Sequence, residues 1–172
     1  FKMANILILR SANTGENDIK TVYSSEKLEN GFAVALGEVS KERKTKGAYK
    51  GAAPAAKTDV IALVYNADVP VLEDEMGNTY KGVTSDPRNI VFPENTPVNA
   101  WVPGKAAEIA MTEVTGTADQ AKYVIYKASS MKPEYAKDTT DALIAFKITG
   151  NGFVSIGNER VKTVEMIHVE LA

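Results

Sequence analysis

The chain has 172 residues, no cysteine, and 20 Lys and Arg against 22 Asp and Glu, for a formal net charge of -2. That length is enough to bury one full core, and the slightly acidic balance leaves no electrostatic footprint for nucleic acid. The absence of thiols excludes disulfides, thiolate nucleophiles and Cys-ligated metals, and no apolar run approaches the roughly 20 residues that span a bilayer.

In chain order, residues 4–10 carry the apolar, partly β-branched run Ile6, Leu7, Ile8, Leu9, closed by the turn-rich SANTGEND. The run is too short for the core of a signal peptide. A segment apolar on both faces is either buried on both sides or used as an arm that pairs with another chain, so these four residues are candidate partner contacts. Met3-Ala4-Asn5 reads as a natural start, with Phe1 and Lys2 upstream of it. A second short strand is predicted at 19–23. Residues 24–29 read as a loop or one helical turn, because Ser25 lacks the acidic partner of a capping box. The organisation expected is an arm with the first strands over 1–29 and a β-rich domain over 30–172.

Asn30-Gly31 is a hairpin or turn signal, since both residues tolerate positive φ. The strand that follows alternates in size. Phe32, Val34 and Leu36 point one way, and Ala33, Ala35 and Gly37 point the other. A large face fills a core while a small face lets another backbone or sheet come close, which predicts a central strand. KERKTK at 41–46 reads as a solvated, lysine-guarded edge, and GAYKGAAPAAK at 47–57 as a connector. VIALVY at 60–65 is apolar on both faces and predicts a buried strand, whereas Pro70 demotes 69–72 toward an edge. Residues 73–97 are polar and least regular, with Pro87, Pro93 and Pro97 ruling out a long helix.

Strands are predicted at 98–102, which contains the single Trp101, at 108–114 after the Pro103-Gly104 turn, and at 122–128. A short helix is expected at 130–140, with Pro133 in its first turn. Ile144, Phe146 and Ile148 share one face of a further strand; Gly150-Asn151-Gly152 is expected to turn it and 153–156 to return. Gly157-Asn158 starts another turn into a long terminal strand over 160–171, with Thr163, Glu165, Ile167, Val169 and Leu171 on one side. The fold class is all-β, a mainly antiparallel sandwich or barrel with few short helices and an extended N-terminal arm.

Chemistry is sparsely signalled. His168 is the sole histidine and has no neighbours that complete a metal set or a triad. Glu73, Asp74 and Glu75 lack the oxygen spacing of a calcium loop. Pro103-Gly104-Lys105 lacks the approach of a phosphate loop, and Ala106 stands where its hydroxyl would be. Trp101, with Tyr123 and Tyr126, offers either core or interface packing or a stacking platform for a sugar or base, and Trp101 is retained as a candidate partner contact. The expectation is a protein without catalytic, cofactor or metal residues.

NGFAVALGEV, then KERKTK, then GAYKGAAPAAKTD, then VIALVYNADVPVLEDE resembles the small capsid decoration proteins of tailed bacteriophages. The second half continues the likeness through PGKAAEIAMTEVTG, KYVIYKASSM and the closing DALIAFKITGNGFVSIGNERVKTVEMIHVE, so that it covers 30–170. The insertion GVTSDPRNIVFPENTP departs from the pattern. The resemblance implies a non-catalytic structural protein on the outer surface of a virion. There it is bound to the major capsid protein and to further copies of itself, as a trimer or other homo-oligomer, with no nucleic acid or membrane partner. A tail or head-fibre component and a glycan-binding surface module are the alternatives.

Overall fold

The computed structural model describes residues 5–11, 18–66, 71–73, 79–81, 88 and 90–171. Its strands in chain order are β1 (Leu7–Ser11), β2 (Ile19–Tyr23), β3 (Ala33–Val39), β4 (Tyr49–Ala52), β5 (Ile61–Val64), β6 (Val71–Glu73) and β7 (Thr79–Lys81). They continue with β8 (Val98–Trp101), β9 (Glu108–Met111), β10 (Tyr123–Lys127), β11 (Glu134–Ala136), β12 (Ala142–Ile156) and β13 (Glu159–Val169). The protein is all-β, as the alternation predicts. Strands β2-β4-β3-β5-β8 close a barrel, in which only the β2–β4 pairing is parallel. A six-stranded antiparallel sheet, β1-β9-β13-β12-β10-β11, lies against it, and β6–β7 form a separate pair.

The size alternation of the 30–39 stretch is what joins the two layers. Phe32 and Val34 point into the barrel with Val22, Val64, Val98 and Phe92, while Ala33 on the small face packs against the sheet. The junction is completed by Ile61, Leu63 and Trp101 from the barrel wall, and by Leu7, Ile109, Met111, Tyr126, Phe146 and Met166 from the sheet. Strand β5 is buried on both faces because its odd residues serve the junction and its even ones the barrel. Where β3 continues past the junction, a Cβ at Gly37 would lie 2.9 Å from the Lys50 carbonyl oxygen of β4, the close backbone approach that the small face predicts.

Asn30-Gly31 forms the turn entering β3, with Gly31 at φ 81°. The Asn30 side chain clasps residue 66 from both sides: its Nδ2 donates to the Asn66 carbonyl (3.2 Å) and its Oδ1 accepts from the Asn66 N–H (2.8 Å). The charged segment 41–46 is the β3–β4 connection. Its Lys and Arg side chains are exposed, and buried Thr45 shares a 2.6 Å hydroxyl contact with Ser40.

Three expectations are corrected, and one irregular segment gains a role in the core. Residues 130–140 hold β11 rather than a helix. Tyr135 pairs opposite Val124 and hydrogen-bonds Thr115, and Met131 is drawn into the barrel core, so tertiary pairing outweighs the helix-start signal at Pro133. Gly150-Asn151-Gly152 does not turn the chain. Strand β12 runs through it to Ile156 with a bulge between Ile148 and Gly150, and the reversal comes at Gly157, the one glycine of that hairpin with positive φ. Gly152 instead makes room, since a Cβ there would lie 2.2 Å from the Glu165 carboxylate oxygen. The irregular 73–97 segment contributes buried Ile90 and Phe92 to the barrel, Phe92 bridging to Leu28. Finally, the N-terminal run is no free arm: β1 is the outermost strand of the chain's own sheet, and β2 with Leu28 belongs to the barrel.

Candidate binding surface

The apolar run at the N-terminus builds an edge. Leu7 pairs opposite Met111, Ile8 opposite Ala110 and Leu9 opposite Ile109, which buries Leu7 and packs Leu9 on the junction core. Two polar clamps hold the strand's start. Asn5 Oδ1 accepts the Glu113 N–H at 3.0 Å, and the Ile6 N–H donates to Thr112 Oγ1 at 3.0 Å. Its end is held by Arg10, whose guanidinium donates two hydrogen bonds to Glu165, at 3.1 and 2.9 Å. That bond pulls the Glu165 carboxyl below the usual carboxylate range and raises the Arg10 guanidinium. Arg10 was not singled out in the sequence, and Glu165 only as one residue on a face of the terminal strand.

Because β1 is terminal in the sheet, its outer backbone groups face no further strand among the described residues. Alongside it runs a groove of about 250 Å³ lined by Ile6, Leu7, Ile8, Leu9, Asn30, Tyr65, Asn66 and Ile90. Ile6 and Ile8 are half-buried there. A strand edge with no neighbour among the described residues, beside an apolar trough, is the geometry that accepts an extended segment as an added strand.

Trp101 lies elsewhere. Its ring is 1 % exposed inside the junction, with Nε1 lacking a hydrogen-bond partner, so it presents no face to a partner and takes the packing role. Burial reflects its register: Trp101 stands opposite Leu63 in β5 and Ile19 in β2, on the barrel wall that meets the sheet. Tyr126 is fully buried too, donating to the Gly31 carbonyl at 2.6 Å, and burial raises its phenol pKa. Tyr123 packs on the opposite face of the sheet with Ile125 and Ala145. The three aromatic rings therefore do not form a stacking platform.

His168 sits at the rim of an open groove of about 460 Å³ with Lys57, Leu143, Glu170 and Leu171. Its Nδ1 lies 2.9 Å from the Gly104 carbonyl, and its ring leans on Phe146 at 5.2 Å. Glu170 is engaged by Lys105 at 2.8 Å, which lowers the carboxyl pKa. Both polar contacts fasten the end of β13 to the turn before β9. Among the described residues no three His, Cys, Asp or Glu side chains gather as a metal site. Asp74 and Glu75 fall outside the described residues, as do Phe1, Lys2, Met3 and Ala4. No helix among the described residues is long and apolar enough to cross a membrane.

No protein family matches the chain, and no curated protein or solved structure does.

Proposed function

We propose that this chain is a structural virion protein that decorates the outer surface of a tailed-phage capsid. It binds the major capsid protein through the free edge of β1 and the groove beside it. The observation that carries this reading is an apolar strand edge that no further strand pairs among the described residues, with a trough beside it, a surface suited to adhesion through backbone hydrogen bonds. The sequence pattern over 30–170 supports it, being of the capsid-decoration type. On this reading the N-terminal run receives a strand from the shell, where the sequence alone suggested an arm reaching outward. Each copy contributes one modest contact, and repetition over the lattice multiplies the reinforcement.

The test is cosedimentation of the purified chain with undecorated capsids of the phage that encodes it, with bound copies counted. Saturable binding at a copy number matching the lattice is expected. The double variant Ile6→Lys, Ile8→Lys, which charges the trough while leaving buried Leu7 intact, is expected to bind at least about tenfold more weakly. Recovery of the native chain wholly in the supernatant overturns the proposal, and a few copies per particle reassigns the protein to the tail or a fibre.

A further inference from the structure

Beyond residue 150 the β12–β13 hairpin leaves the sheet. Strand β10 pairs with β12 only as far as Lys147, and β9 pairs with β13 only from Val164 onward. The remaining two-stranded ribbon is paired from Gly150 opposite Glu165 to Ile156 opposite Glu159. Its two faces differ. Val154 and Val161 stand opposite each other on one face and are half-buried, as is Ile156. On the other face Asn151, Phe153, Ser155, Arg160 and Lys162 are all exposed.

Phe153 is 54 % exposed, whereas the other described phenylalanines, Phe32, Phe92 and Phe146, are buried. The Arg160 guanidinium lies 4.5 Å from the centre of its ring, and Lys162 stands directly across the strand pair from it. A guanidinium stacked on an aromatic face keeps its edge N–H donors free for a bidentate carboxylate. The ribbon's carboxylates are engaged elsewhere, Glu159 with Arg88 and Glu165 with Arg10, and among the described residues no carboxylate is paired with Arg160 or Lys162. Two cations flanking one ring are too small a basic surface to track the phosphates of a nucleic acid, while they suit a compact cluster of carboxylates.

We propose that the exposed face of this ribbon, formed by Phe153, Arg160 and Lys162, is a docking face for a carboxylate-rich segment of a protein partner. It is separate from the β1 groove and holds whether or not the partner is a capsid.

The experiment follows backbone amide shifts of the isotope-labelled full chain while a short blocked oligoglutamate peptide is added. Saturable shifts confined to 151–155 and 159–163 are expected, with affinity falling as salt is raised. The variant Arg160→Glu, Lys162→Glu is expected to bind at least about tenfold more weakly, and Phe153→Ala about threefold, since the ring positions the guanidinium. All three side chains are exposed, so the variants keep the native thermal unfolding curve, which is measured alongside. Shifts elsewhere, no saturation, or equal affinity in the charge-reversed variant overturn the proposal and leave the cations as solubilising groups. Tighter binding of duplex DNA or phosphatidylglycerol vesicles than of oligoglutamate overturns the protein partner. Capsid binding retained in the charge-reversed variant, together with unchanged peptide affinity, sinks this inference while the proposed function stands.

Discussion

The two halves of the β12–β13 hairpin each alternate with a period of two, the bulge between Ile148 and Gly150 shifting the phase in β12, and live in different worlds. In the half nearest the sheet, Ile144, Phe146, Val164 and Met166 face the barrel, while Ala142, Ala145 and Val169 serve a smaller cluster on the opposite face. In the far half the same alternation separates an exposed face with Phe153 from a half-buried face with Val154 and Val161. Alternation decides which side a residue takes, whereas the energy attached to that side depends on what covers it.

The sharpest test of that contrast compares two phenylalanines on the same strand. Phe146→Ala removes a ring packed against Tyr126 and His168 in the junction and is expected to cost about 3–5 kcal/mol in denaturant unfolding. Phe153→Ala is expected to cost less than about 0.5 kcal/mol. Equal losses would mean that the ribbon is covered in solution.

A smaller effect probes the junction itself. Tyr126→Phe leaves the Gly31 carbonyl without its buried donor and is expected to cost about 1–3 kcal/mol. Burial raises the folded-state pKa of this phenol, while an unfolded tyrosine ionises near pH ~10. The stability that follows from keeping it protonated is therefore full below about pH 10 and declines as pH rises further, a decline that Tyr126→Phe abolishes.

A coupled effect lies where the halves meet. Gly152→Ala places a methyl 2.2 Å from the Glu165 carboxylate oxygen. The side chain swings aside and its bond to Arg10 is lost, at an expected cost of about 1 kcal/mol, non-additive with Arg10→Ala. Glu165 titrates below its ordinary range when folded, so its contribution is present above the unfolded carboxyl value near pH ~4.3 and is lost as pH falls. The acid limb of the stability profile should flatten in Gly152→Ala. An unchanged limb would show that the Arg10 bond does not couple the N-terminal strand to the ribbon base.

Legibility followed the range of the interactions. The alternation at 32–37, the doubly buried core of the 60–65 run at 61–64 and the shared face of Ile144, Phe146 and Ile148 were readable, because a strand's period of two is written locally. The β1 groove was half-readable: Ile6, Leu7, Ile8 and Leu9 stood out as apolar on both faces, but whether they reach outward or close the chain's own sheet depends on β9, about a hundred residues away. Phe92 was hidden by the prolines and polar residues around it, and Trp101 looked available only because its neighbours in the fold are remote in sequence.

By itself the amino-acid order determined an all-β chain, the strand faces and the central place of the 30–39 strand. Backbone sterics and side-chain alternation act between adjacent residues, and so need no knowledge of the rest. Only the tertiary structure decided that Gly150 and Gly152 continue a strand, that Trp101 is interior, and that among the described residues the β1 edge and one ribbon face stay uncovered. Each of those depends on which distant strand arrives beside it, and pairing partners are chosen by the closure of the barrel and the stacking of the sheet upon it.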